Sequence, residues 1–99
     1  MKSVLEICCG SFEDVKTAYE NGADRVELNS ALYLGGLTPS LANLICAKEQ
    51  CEIPVVAMVR PRGGGFCYSL EEYQTMILKY FITNSLSCSI SYSIKSENA

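Results

Sequence analysis

Arg60 and Arg62 flank Pro61, directly after the apolar run Val55 to Val59 and directly before Gly63-Gly64-Gly65. Two guanidinium groups at the mouth of a glycine-rich loop are suited to an anion, because each offers several donors in a planar fork. Asn29 adds a neutral polar group, and Glu6 and Glu27 supply carboxylates for proton transfer. Cys8 and Cys67 supply thiols, which suit a soft ion such as Cu(I). Adjacent Cys8-Cys9 is a poorer chelating pair, since successive side chains on a strand face opposite sides. Cys46 and Cys51, five apart around a helix, also meet badly.

These residues converge only if particular elements carry them. Val4 to Cys8, Arg25 to Asn29 and the run opening at Ile53-Pro54 read as three strands, the last β-branched and without polar alternation, as in a parallel strand covered on both faces. Ser11 with Asp14 caps a first helix that Asn21-Gly22 ends. Thr38 with Pro39 is expected to cap a second helix, with Leu41, Leu44 and Ile45 inward. Ser69 with Glu72 forms a capping box for a third, whose Tyr73, Met76, Tyr80 and Phe81 stripe awaits a neighbour. Strands alternating with helices predict a parallel α/β sheet, with ligands at the carboxyl ends of the strands. Alternation along each strand then sends Glu6, Cys8, Arg25, Glu27, Asn29, Met58 and Arg60 to the face away from the helices. The expectation is a charged interior in which Glu6 and Arg60 support each other. Glu-Arg pairs that merely fill a barrel interior are the competing reading.

The chain of 99 residues carries a formal charge of -3, six cysteines and no histidine. That balance gives no electrostatic footprint for nucleic acid, and no stretch suggests a membrane span. The residues after Met1-Lys2 show no signal-peptide pattern, so a cytoplasmic location and reduced thiols are expected. No cysteine spacing is C-x-x-C. Residues 1–81 read as one βα domain. Residues 82–99 read as a divergent serine-rich tail, either disordered or an edge strand, because Leu86 to Ile94 alternates apolar residues with serine.

Glu6-Ile7-Cys8-Cys9, Asn21 to Leu28, Gly35-Gly36-Leu37-Thr38-Pro39-Ser40, and Arg60-Pro61-Arg62-Gly63-Gly64 with Phe66-Cys67-Tyr68-Ser69 together resemble the CutC family. The resemblance covers about residues 3 to 80. It implies a fragment of a TIM (β/α)8 barrel, three βα units followed by the divergent tail, and copper homeostasis in the cytoplasm with copper held by cysteines. Cys8 falls on the family's strand-one cysteine. Asn29 stands where many members carry a second cysteine, and Gly65 where an aspartate is usual. After the third helix the family continues with a fourth buried strand, which makes this chain resemble a truncated or frameshifted member.

Three readings follow. The first is a CutC-type protein handling copper through Cys8 and Cys67. The second is a barrel enzyme acting on a small anionic metabolite, with Glu6 and Glu27 catalytic and Arg60, Arg62 and Asn29 binding the anion. The third is an inactive remnant. In each case open sheet edges lead to the expectation of self-association.

Overall fold

The computed structural model describes residues 3–86 and 88–92, the last four through their backbone. Three βα units run in order: β1 (Glu6–Cys9), α1 (Phe12–Glu20), β2 (Arg25–Leu28), α2 (Leu41–Gln50), β3 (Val55–Val59) and α3 (Leu70–Ser85), followed by β4 (Ser89–Tyr92). The sheet is parallel throughout, in the order β1-β2-β3-β4. A short 3-10 turn, Leu32–Leu34, sits between β2 and α2.

Strand alternation sorts the side chains into two layers. Cys9, Val26, Leu28, Val55 and Ala57 are buried on the helix side, where they join Val15, Leu44 and Ala47 in one core. The opposite layer holds Glu6, Cys8, Arg25, Glu27, Met58 and Arg60, placed together by the parallel register, which pairs Glu6 with Arg25 and Cys8 with Glu27.

The local signals at two helix starts are realised. Ser11 Oγ accepts from the Asp14 N–H at 3.1 Å. At α3 the box is complete, Ser69 Oγ accepting from the Glu72 N–H and Glu72 Oε1 from the Ser69 N–H. Gly22 follows α1 with φ 96°, a backbone angle that favours glycine after the Asn21 cap.

Three expectations are corrected. The cap of α2 is Ser40, whose hydroxyl accepts from the Asn43 N–H at 3.1 Å, while Thr38 bonds to another strand end. Leu41 is exposed rather than inward, whereas on α3 Met76 is buried and Tyr73, Tyr80 and Phe81 are exposed, as a stripe awaiting a neighbour would be. The α3 helix also runs four residues past residue 81, because no glycine or proline follows Gly65 and the buried face of Met76 recurs two turns later at Thr83. Ser89–Tyr92, within the serine-rich alternation, pairs in parallel with Val56–Val59 of β3. Ser87, Ser93, Ile94 and the remaining tail to Ala99 lie outside the described residues.

Candidate functional site at the carboxyl ends of the strands

Arg60 is the first residue past β3, and only 6% of its surface is exposed. A buried guanidinium needs acceptors, and here they are backbone carbonyls: Nη1 donates to Leu34 O at 2.7 Å and Gly36 O at 3.4 Å, and Nη2 to Gly64 O at 2.8 Å. Its carbon lies 4.7 Å from the centre of the Phe66 ring. Arg60 therefore ties the loop after β2 to the loop after β3. Among the described residues it forms no ion pair with Glu6, contrary to expectation; Glu6 is bonded instead to Arg25, its neighbour across the β1–β2 register. Nε of Arg60 is buried without a partner among them.

The loop around Arg60 is shaped to it. Gly35 and Gly36 hold φ of 88° and 94°. A Cβ on Gly35 would stand 2.9 Å from Arg60 Nη1, and one on Gly36 would stand 2.5 Å from Asn29 Oδ1. Glycine is thus required twice over, by angle and by space.

Arg62 is engaged as fully. It donates to the carbonyls of Gly65 and Cys67, pairs with Glu72 at 2.8 Å through Nε, and lies over the Tyr68 ring. The Ser69 N–H bond and the Arg62 charge hold the Glu72 carboxyl below its ordinary range, against the opposite pull of burial. Both arginines expected to take an anion thus turn most of their donors to loop carbonyls and to Glu72.

Asn29, 1% exposed, turns its amide to Glu27, donating to the backbone oxygen at 3.2 Å and to Oε1 at 3.3 Å. Its own N–H extends the β1–β2 ladder to Cys9 O. Glu27 is half-buried beside Cys8, which is exposed. Burial, then the charges of Glu27 and Glu6, push the Cys8 thiol up from its ordinary value.

Cys67 is also exposed, but it sits in the loop after β3, and β2 lies between β3 and the Cys8 strand. Among the described residues no three His, Cys, Asp or Glu side chains gather as a metal cluster. The arrangement gathers Glu6, Cys8 and Glu27 on one polar face, with Asn29 turned to Glu27, and leaves Arg60, Arg62 and Cys67 in the loops.

Sequence reasoning missed Thr38, which makes three hydrogen bonds with the backbone of Arg60. Its only signal was a Thr-Pro pair that also resembles a helix cap. The carbonyls of Leu34, Gly36 and Gly64 left no signal, since every residue carries one.

Residues 3–86 match the sequence profile of the CutC family. A family protein CutC of Treponema denticola is 55% identical over 87 residues, which cover 85% of this chain and 35% of that protein. The crystal structure of a CutC protein from Streptococcus agalactiae, assigned to copper homeostasis, superposes with a TM-score of 0.86 at 29% identity, covering 97% of this chain and 48% of that one. The chain thus spans about a third to a half of the length of these relatives.

Proposed function

Because this chain belongs to the CutC family, we propose that it serves copper homeostasis in the cytoplasm by engaging Cu(I) through Cys8. The observation that carries this reading is the position of Cys8. It is an exposed thiol at the carboxyl end of β1, on the polar face, with Glu27 beside it in the neighbouring strand and Glu6 two residues before it. Cu(I) favours thiolate ligands, and the carboxylates add negative charge around the ion. Burial and, after it, the same carboxylates hold the proton on the thiol, so Cu(I) must displace that proton to bind. Engagement is then weak and strengthens as pH rises, which suits transient handling rather than storage. Cys67, two strands away, is the second thiol of the reading and requires the glycine loop to approach β1. The anionic-metabolite reading has less support, since loop carbonyls take the Arg60 Nη donors and Arg62 is paired with Glu72.

The test is a Cu(I) titration against a chromophoric chelator with the parent chain, Cys8→Ser, Cys67→Ser and Glu27→Gln. Loss of competition in Cys8→Ser, a smaller loss in Cys67→Ser, and binding at lower pH in Glu27→Gln are expected. Unchanged competition in Cys8→Ser overturns the proposal.

A further inference from the structure

The sheet has two open edges among the described residues, the outer side of β1 and the outer side of β4. On β1 the N–H groups of Arg25 and Asn29 bond to the carbonyls of Leu5 and Cys9. Alternation therefore aims the backbone groups of Glu6 and Cys8 outward, with no strand beside them. The side chains there are apolar and bare: Val4 is 58% exposed, Leu5 52% and Ile7 37%. A groove of about 480 Å³ between β1 and α1, lined by Leu5, Ile7 and Ala18 together with Glu13, Asp14 and Thr17, opens beside the same strand. An edge of this kind is a template for another strand.

Four parallel strands are half of the eight in a (β/α)8 barrel. We propose that two copies of this chain pair around a twofold axis along the strands, β4 of each against β1 of the other, closing one eight-stranded barrel. The register supports closure. The ladder carries Cys8 across to Glu27, Glu27 to Val56, and Val56 to Ser89. A barrel with a shear of eight returns to its first strand eight residues lower, so each half contributes about four. Four below Cys8 is Val4, which sets Ser89, Ile90, Ser91 and Tyr92 opposite Val4, Leu5, Glu6 and Ile7 of the second copy. The four residues of β4 thus meet the open edge of β1 along its exposed length. Because the stagger is even, the polar faces of both copies turn to a common interior.

The partner is a second copy because the two edges of one chain complement each other in direction, length and stagger, and a twofold axis satisfies both at once. Two seams of four residue pairs cover on the order of 500 Å² per copy, the low end for a specific interface, so the pair is reversible.

Sedimentation equilibrium over a concentration series tests it, with amide hydrogen exchange on the same samples. The expected results are a monomer–dimer equilibrium ending at twice 10.8 kDa, with the Glu6 and Cys8 amides gaining protection as the dimer forms. Val4→Lys, at an exposed edge position, should raise the dimer Kd about tenfold or more. Leu78→Lys, on α3 at 61% exposure, should leave it unchanged. A monomer throughout, species growing beyond two copies, or a dimer lost in Leu78→Lys but kept in Val4→Lys would each overturn the proposal. So would a dimer that leaves the Glu6 and Cys8 amides unprotected.

Discussion

Thr38 and Arg60 are joined by three hydrogen bonds although they lie 22 residues apart. Thr38 Oγ1 donates to Arg60 O at 3.0 Å and accepts from the Arg60 N–H at 2.8 Å, while the Thr38 N–H donates to the same carbonyl at 3.0 Å. Just past β3 the Thr38 hydroxyl thus stands in for a ladder carbonyl toward the Arg60 N–H, while the Thr38 N–H serves the Arg60 carbonyl.

Thr38→Val keeps the shape and removes both hydroxyl bonds, leaving the Arg60 N–H without a partner. The expected cost is about 2 kcal/mol, read as a lower urea midpoint at unchanged m-value, with Thr38→Ser recovering most of it. A cost below about 0.5 kcal/mol would show that water replaces the hydroxyl.

Arg60→Ala removes the tie between the two loops and frees the carbonyls of Leu34, Gly36 and Gly64. Both loops should become sensitive to limited proteolysis, with stability lower by about 3 kcal/mol. Added guanidinium at sub-denaturing concentration should restore part of the protection, whereas Arg60→Lys should not, because an ammonium cannot reach carbonyls in the same fork.

Glu6 and Arg25 form an ion pair in which both side chains remain partly exposed. A double-mutant cycle on the two should return a coupling of about 0.5 kcal/mol that fades with salt. The corresponding cycle on Glu6 and Arg60 should be additive, since Arg60 is held by carbonyls and not by Glu6. Coupling in the second cycle and none in the first would contradict the observed pairing.

Burial pushes the Cys9 thiol up to about 11, with smaller contributions from Asp14, Cys8 and Cys51. The folded chain keeps this thiol protonated where the unfolded chain ionises it, so its contribution to stability is complete below about pH 8.5 and is lost as pH rises toward 11. The loss is on the order of 3 kcal/mol. Urea titrations at pH 8 and 10.5 should show a steeper decline for the parent chain than for Cys9→Ala; equal slopes would rule out a buried, protonated Cys9.

The parallel βα order and the polar face were legible because both rest on local periodicity: β-branched runs, glycine stops and alternation along single strands. Ser11 with Asp14 and Ser69 with Glu72 were legible for the same reason, their partners being three residues away. Pairing between strands was not. Glu6 meets Arg25 because β1 and β2 are neighbours in a given register, and Arg60 lies one strand further, roughly 10 Å from β1. The roles of the arginines were hidden because a sequence advertises donors such as Arg60 and Arg62, while their acceptors here are anonymous carbonyls. The length of α3 was obscured by serine-rich composition, which looks like a tail although Thr83 still falls on the buried face.

Arg60 also bears on the order in which the molecule assembles. Its bonds to Leu34 and Gly36 close spans of 26 and 24 residues, whereas the helix caps close spans of three. Chain entropy must be surrendered before such distant partners can reward it, so the helices and the β1–β2–β3 ladder form ahead of the clasp. Substitutions at Arg60 should then carry φ-values near zero, quickening unfolding while barely slowing folding. The two loops that Arg60 clasps, after β2 and after β3, are the last part of the molecule to be built and the first to come apart.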